Sequence, residues 1–292
     1  MSDPRVGKLA DLLVNYSLEL KPGQLVRIDA STVASPLVTE LYRHALRAGA
    51  YPRTRIEVEG LDVIALGEAS DEQLVFISEV DRQEVEQLGA VITVWGDRNT
   101  RALSQADPGR VSRRIASRRQ LINRLWERIE ADEASWVGTR FPTDAHAQDA
   151  DMSLEAYEDF VYGACHVREG EDPVAHWREV SVELNARARE LEAFRELRIL
   201  GPDTDLRLGV EGRSWRAADG KLNMPDGEIF TSPVETETEG EIRFSFPAIF
   251  HGRGRGRAVE VRRRACRRGR GEDRRRLPAV AARHGRGLTH PR

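Results

Sequence analysis

The first half of the chain alternates between apolar runs that are typical of buried strands and apolar stripes at helical spacing. The runs at 25–28, 55–58 and 91–95 predict short strands. Between the first two, Ser35 looks like a helix N-cap and Gly49 looks like the end of that helix. Alternating strands and helices of this kind are typical of a parallel α/β sheet.

Two more helices are predicted in the same region. One runs from Asp71 to Gly89, and a longer one carries Ile115, Ile122 and Ile129 on one face. Parallel sheets often bind nucleotides, yet no G-x-G-x-x-G sequence follows a predicted strand and no Walker A sequence occurs. We therefore expect this region to be a structural α/β domain.

The pattern changes twice further along the chain. Residues 141–143 are predicted to be extended, and two helices follow, one capped by Ser153 and one that begins near Asp172 and runs towards Leu191. From Leu197 onwards the spacing of apolar residues becomes two, which is the period of an antiparallel strand with one buried face. The runs concerned are 197–200, 206–210 and 242–246.

One acidic residue lies where it could carry chemistry. Glu228 follows the Pro225-Asp226-Gly227 turn and precedes a short β-prone run. Hydrolytic metal sites use carboxylates that are held rigidly, and several must converge. Taken alone, an acidic residue beside a turn is more often a solvated surface group. Asp226, inside the turn, is better explained as a turn former than as a ligand.

The segment Asn223–Glu235, N-M-P-D-G-E-I-F-T-S-P-V-E, resembles the signature of the aminopeptidase T family of dinuclear metallopeptidases. Other stretches occur in the order that the family shows, so the resemblance covers about residues 5–253. They are L-K-P-G-Q at 20–24, A-L-R-A-G-A at 45–50, F-P-T at 141–143, D-P-V-A-H-W at 172–177, G-P-D-T-D-L at 201–206 and F-S-F-P-A at 244–248.

The resemblance implies a metal-dependent aminopeptidase that hydrolyses peptides from a free N-terminus. It implies that Glu228 is a metal ligand, and that the other ligands, a second glutamate, histidines, an aspartate and a tyrosine, lie further along the chain. The cofactors implied are two divalent metal ions, zinc, cobalt or magnesium. The family resemblance also implies a homodimer.

Pattern and resemblance together predict an α/β fold class in four parts. These are an N-terminal α/β domain with a mainly parallel sheet at 1–140, a helical bridge at 141–195, the start of an incomplete antiparallel metallopeptidase domain at 196–253, and a disordered Arg/Gly-rich tail at 254–292. Because later strands of the third part are missing, Ile242, Phe244 and Phe246 are expected to leave an exposed apolar surface or an unpaired edge.

The charge is divided sharply along the chain. The whole sequence has 45 basic and 48 acidic residues, a net charge of −3. Residues 251–292 hold 15 Arg and three acidic residues, a net charge of +12, which leaves −15 for residues 1–250. The resemblance stops after Arg253, and no aromatic residue occurs from there to the end.

Three explanations of this tail remain open. It could be the product of a frameshift in a GC-rich gene, which the strong preference for Arg over Lys favours. It could instead bind nucleic acid through its Arg-Gly sequences, although aromatic residues for base stacking are missing. A disordered tail of unknown role is the third explanation. We expect the chain to be a truncated, inactive form of the family enzyme, with nucleic-acid binding as the alternative function.

The remaining candidate ligands form no recognisable pattern. Cys165 and Cys266 lie far apart, and Cys165 is predicted to be a free, buried thiol. The histidines show no paired ligand spacing, so each is interpreted as a surface or incidental residue; they are His44, His146, His166, His176, His251, His284 and His290. No signal peptide pattern and no apolar run of about 20 residues occurs, which predicts a cytoplasmic protein that does not enter a membrane.

Overall fold

A computed structural model describes residues 3–244, 258–262 and 265–268. Helices and strands alternate through most of that length. None of the helices in these three ranges is both long enough and apolar enough to cross a lipid bilayer. The expectations for Phe246, Cys266 as a side chain, and His251, His284 and His290 lie outside the described residues.

The chain divides into two compact units, Met1–Arg187 with Ala217–Ile229, and Ala188–Arg216 with Phe230–Arg292. The helices are α1 (Pro4–Leu12), α2 (Ser35–Arg47), α3 (Leu61–Glu68), α4 (Asp71–Val75), α5 (Glu79–Gln87), α6 (Pro108–Glu130), α7 (Asp144–Asp149), α8 (Leu154–Ala164) and α9 (Pro173–Leu191). The strands are β1 (Leu25–Ser31), β2 (Tyr51–Glu57), β3 (Ala90–Trp95), β4 (Ser135–Arg140), β5 (Glu196–Gly201), β6 (Thr204–Gly209), β7 (Arg216–Ala218), β8 (Asn223–Met224), β9 (Glu228–Phe230), β10 (Thr238–Arg243), β11 (Ala258–Arg262) and β12 (Ala265–Arg268).

The first unit is built on a five-stranded parallel sheet with the order β2-β1-β3-β4-β8. The mixed α/β fold class predicted from the sequence is therefore confirmed. Helix α1 continues into one turn of π-helix and packs with α2, which in turn packs on β1 and β2. Apolar residues of these elements are fully buried, among them Leu9, Leu41, Ile28 and Ile92. Their burial supplies the main stabilisation of the unit.

Three local features differ from the sequence-based prediction. The single helix expected from Asp71 to Gly89 is interrupted, because Ser78 starts a second helix by accepting a hydrogen bond from the backbone NH of Asp81 while the Asp81 carboxylate accepts one from the Ser78 NH. Ser35 is the first helical residue rather than the N-cap, since a 3₁₀ turn runs directly into α2. The sequence pattern does not predict helix α3, because the helix is apolar on most sides rather than along one stripe.

The second unit contains an antiparallel sheet with the order β12-β11-β10-β6-β5. The expected unpaired edge at Ile242 is wrong, because β11 pairs with β10 and places Val259 opposite Ile242. Phe244 does expose about half of its surface (49%). Strands β11 and β12 lie within the predicted tail, and the sequence at 259–262 alternates apolar and charged residues, as strands do. The prediction of disorder in the tail as a whole is not tested, because its other residues lie outside the described ranges. The four-part domain division stays a prediction.

Candidate metal centre

The segment that resembles the metallopeptidase signature begins as a strand of the parallel sheet. Strand β8 lies beside β4, although the period-two pattern predicts antiparallel structure in this part of the chain. The backbone NH of Gly138 donates to the carbonyl oxygen of Leu222 at 2.8 Å, and the hydroxyl of Thr139 donates to the carbonyl oxygen of Met224 at 2.7 Å. The side chain of Met224 is buried in the core of the first unit.

The chain then turns away from the sheet. The Met224–Pro225 peptide bond is cis, and Gly227 has a φ of +127°, which an L side chain rarely adopts. Asp226 stabilises the turn because its carboxylate accepts hydrogen bonds from the backbone NH groups of Asn223, at 3.3 Å, and Gly227, at 3.1 Å. These are the hydrogen bonds of a turn-forming aspartate.

The electrostatics of the turn make Asp226 easier to protonate than an ordinary aspartate. The pKa of Asp226 is raised to about 6, mainly by burial; the two backbone hydrogen bonds act to lower it, and the nearby carboxylates of Glu228 and Asp219 act to raise it. Asp219 is itself buried, and its carboxylate accepts a 2.5 Å hydrogen bond from the hydroxyl of Ser181. Glu228 and Asp219 thus lie near enough to Asp226 to affect its ionisation, but these three side chains are not placed together as a group that could hold a metal ion.

Glu228 is the first residue of β9, which pairs with β7. Its side chain is exposed. A carboxylate in this position is accessible to a cation, but a cation held by one exposed carboxylate keeps most of its water ligands.

The described residues do not fit a two-metal centre. Within residues 3–244, no group of three or more His, Cys, Asp or Glu side chains is placed to hold a metal ion. Two-metal hydrolases need several ligands converging on cations about 4 Å apart. Glu228 is the candidate ligand from sequence, and the fold does not bring the described histidines to it as a ligand set.

The histidines of the first unit serve other contacts. His44 lies 3.2 Å from Asp11, and the rings of His166 and His176 are stacked with their centroids 3.4 Å apart. The sequence predicts that His146 is a surface or incidental residue, and the surface alternative is wrong, because α7 turns the buried side chain inwards to contact Asp97 at 3.0 Å through Nε2. Its other ring nitrogen, Nδ1, has no hydrogen-bond partner among the described residues.

Cys165 is a free cysteine with a fully buried side chain, as the sequence predicts. Burial raises the pKa of its thiol to about 12, so the thiolate that binds metals or attacks electrophiles does not form at neutral pH. Cys165 is therefore excluded as a metal ligand or nucleophile.

Two residues that hold the segment in place, Thr139 and Asp219, have no signal in the sequence that marks them. Thr139 is an ordinary β-prone residue in a strand, and Asp219 precedes a glycine as in any turn. Their partners, Met224 and Ser181, lie 85 and 38 positions away in the chain. A contact of that kind becomes visible only when the strand order is known.

Comparisons with known proteins agree with the resemblance in the sequence. The model of a family described as thermophilic metalloprotease (M29) matches residues 2–255. Aminopeptidase T of Thermus thermophilus is 28% identical over 287 residues, which covers 87% of this chain and 70% of the relative. Aminopeptidase 2 of Geobacillus stearothermophilus is 24% identical over 273 residues, covering 86% of this chain and 65% of the relative.

A solved structure, wild-type AmpT from Thermus thermophilus, superposes with a TM-score of 0.76 at 25% sequence identity. The superposition covers 90% of this chain and 70% of that chain. This chain therefore spans about two thirds of the length of the relatives it matches. The family match nevertheless includes the parallel-sheet unit and the whole of Asn223–Glu235, and the chain belongs to the thermophilic metalloprotease (M29) family, a family of metallo-aminopeptidases.

Proposed function

We propose that the activity for which this fold is built is the removal of N-terminal residues from peptides with the help of two divalent cations, zinc, cobalt or magnesium. We further propose that Glu228 is one ligand of that centre and that the 292-residue chain by itself does not carry out the reaction. The observation that supports both parts is the combination of a family match over 2–255 with the lack of a three-ligand group among the described residues.

The physical reason is the number of ligands. Tight binding of a divalent cation needs several charged ligands. Only together do they offset the cost of removing water from the cation and from the ligands. Glu228 is exposed, and Asp226 is engaged by two backbone NH groups. A centre limited to these side chains would hold a cation only weakly.

The test is an assay of the purified chain with short peptides that carry a free N-terminus, in the presence of zinc, cobalt or magnesium. The expected result is no release of N-terminal residues above the level of a Glu228→Gln variant. Release that a chelator abolishes and that Glu228→Gln removes would show that the chain is active. A matched control is Glu237→Gln, which removes the same charge at a position outside the Pro225-Asp226-Gly227 turn. Glu237 lies in the 3₁₀ helix before β10.

The origin of the divergent tail has its own test. We propose that residues after Arg253 are read in a shifted frame, because the segment is rich in Arg, has no Lys and lies outside the family match from residue 256 onwards. The other two frames of the gene downstream of codon 253 should then encode acidic residues and histidines in family-like sequence. If neither frame does so, the frameshift explanation is wrong.

Assembly as a homodimer is proposed from the family resemblance alone. Sedimentation equilibrium of the purified chain measures it directly: a mass of twice 32.9 kDa supports the dimer, and a mass of 32.9 kDa contradicts it.

A second candidate function is binding of nucleic acid, which the net charge of +12 on residues 251–292 favours. Lys and Arg contacts to phosphates release counterions, so such binding weakens steeply with added salt. Single-stranded RNA should then bind the full chain and lose its affinity when residues 254–292 are deleted. Equal RNA binding by the chain without residues 254–292 would contradict a role of this segment in nucleic-acid binding.

A further inference from the structure

We propose that a cleft in the first unit binds a small, multiply charged anion, a compound that carries two or more carboxylate or phosphate groups. The cleft has a volume of about 670 Å³. This lies within the range of about 300–1,000 Å³ that is typical of small-molecule sites. Its polar and charged lining includes Tyr16, Glu19, Lys21, Arg178, Ser181 and Lys221.

The charge of the lining is positive. Lys21, Arg178 and Lys221 contribute three cations, while Glu19 is the one carboxylate that lines the cleft. The buried carboxylate of Asp219 lies behind Ser181, and with Asp219 included the net charge is still positive by one. An anion is therefore the class of ligand that the lining attracts.

Two of the three cations are available to a ligand. Lys221 forms a 2.8 Å ion pair with Glu19, and about half of each side chain is exposed. Among the residues that the structure describes, the ammonium of Lys21 and the guanidinium of Arg178 make no hydrogen bond and no close ion pair, although both interact electrostatically with the Glu19 carboxylate, whose pKa the three cations together lower. A guanidinium can bind a carboxylate or phosphate through two parallel hydrogen bonds, so Arg178 is the strongest anchor in the cleft.

The backbone segments that carry the cations are joined by a buried hydrogen-bond junction beside the cleft. The hydroxyl of Tyr16 lies 2.8 Å from the carbonyl oxygens of both Trp177 and Asp219. Burial raises the pKa of Tyr16 to about 12, so this hydroxyl keeps its proton and remains a donor. The hydroxyl of Ser181 donates to the Asp219 carboxylate. Three distant parts of the sequence thus meet at fixed positions, directly beside Lys21, Arg178 and Lys221.

The approach of Lys221 to the cleft depends on Gly220. Gly220 has a φ of +87°, and a Cβ there would lie 2.7 Å from Cε of Met224 and 3.1 Å from the Trp177 ring. Lys221 then lies with its ammonium 5.7 Å from the centroid of the Tyr16 ring. Of the three cations, Lys221 is therefore already positioned before a ligand binds, which lowers the entropy lost on binding.

Residues 251–292 are unsuited to neutralise this cleft because they carry a net charge of +12. A soluble anion is therefore a better occupant than that segment. The cleft is formed within the first unit and includes no metal ligand candidate, so the inference does not depend on the proposed aminopeptidase function.

Amide hydrogen exchange of the full chain, followed by mass spectrometry of its peptides, tests the proposal segment by segment. The probes are citrate and inorganic pyrophosphate, each compared with sodium chloride at equal, low ionic strength. The proposal predicts slower exchange in peptides that cover 16–22, 178–182 and 219–222. Because the measurement resolves each segment, anions bound by the Arg-rich residues 251–292 do not contribute to it.

Two variants make the test specific. Arg178→Ala removes an exposed side chain without a hydrogen-bonded partner among the described residues, so the chain should fold normally and lose the protection. Arg187→Ala, on the same helix but paired with Glu183, should keep it. From the worth of a hydrogen bond to a charged group, the apparent affinity should fall about tenfold or more in Arg178→Ala.

Each outcome decides the matter. Protection by citrate alone assigns the cleft to polycarboxylates, and protection by pyrophosphate alone assigns it to phosphate compounds. If both probes protect the wild-type chain and neither protects Arg178→Ala, the cleft binds multiply charged anions of either kind, as proposed. No protection by either probe, or equal protection in wild type and Arg178→Ala, overturns the proposal.

Discussion

The hydroxyl of Thr139 donates a 2.7 Å hydrogen bond to the carbonyl oxygen of Met224, and each residue exposes only 1% of its surface. This bond joins the end of strand β4 to the start of the signature segment. A buried carbonyl that loses its donor cannot recover a hydrogen bond from water. The position of the turn that carries Glu228 therefore rests on a side chain from a distant strand.

Thr139→Val should destabilise the chain by about 1–3 kcal/mol, because valine keeps the shape of threonine but leaves the Met224 carbonyl without this donor. The measurement is urea unfolding followed by circular dichroism. The matched control is Thr39→Val, since the Thr39 hydroxyl bonds the Ser35 carbonyl on the exposed side of α2. Its effect should stay within about 0.5 kcal/mol. Equal losses in the two variants would contradict the role of Thr139.

Gly138→Ala should also destabilise the first unit. A Cβ at Gly138 would lie 2.3 Å from the Trp95 ring and 2.9 Å from the Trp136 ring, which themselves pack edge to face. Overpacking of this kind costs about 1–3 kcal/mol. The control is Gly7→Ala in helix α1, where a Cβ meets nothing within 4 Å. That variant should be as stable as wild type or more stable by about 0.5–1 kcal/mol, as thermal unfolding can show.

The break between α4 and α5 predicts a specific effect of Ser78. Ser78→Ala removes the acceptor for the Asp81 NH and should cost about 1 kcal/mol. Ser117→Ala, in the interior of α6, is a suitable control because alanine favours helix there. Chemical unfolding of both variants decides the point: if Ser78→Ala is no less stable than Ser117→Ala, one continuous helix is the better description.

The stacked pair His166 and His176 predicts how stability varies with pH. Burial lowers the pKa of His176 below its usual 6.5, and the neighbouring His166 lowers it further. His176 then binds a proton more readily in the unfolded chain than in the folded chain. The stability that depends on neutral His176 is therefore fully present above pH 6.5 and is lost as the pH falls through the lowered pKa.

His176→Phe keeps a stacked ring but cannot ionise, so its free energy of unfolding should fall less than that of wild type as the pH is lowered. Urea unfolding at a series of pH values below neutrality measures the difference. Arg187→Gln, elsewhere on α9, should retain the wild-type slope. An unchanged slope in His176→Phe would rule out this source of acid sensitivity.

Local patterns in the sequence predict the elements of the first unit well. The strands at β1 and β3 and the helix at α8 follow from apolar runs, spacing and caps. The edge strand β2 is harder, because all but one of its residues are at least partly exposed and the apolar run covers only its end. Helix α3 is apolar without a clear stripe, so its exposed leucine and isoleucine carry no periodic signal.

Contacts between distant residues explain what the sequence does not reveal. The pairing of β8 with β4 depends on the order of strands in the sheet, which single-residue patterns do not contain. His146 is buried because α7 turns it towards Asp97, 49 positions away. The cleft beside Tyr16 likewise joins positions up to 203 residues apart. Glu228, by contrast, could be singled out from a continuous motif.

The central claim is that this chain has the fold and the signature of a metallo-aminopeptidase without a complete two-metal centre among its described residues. Equilibrium dialysis of the purified chain against cobalt, with metal content measured per chain, tests it most directly. We predict weak binding that does not reach two cobalt ions per chain and that Glu228→Gln reduces. Tight binding of two cobalt ions per chain would contradict the claim.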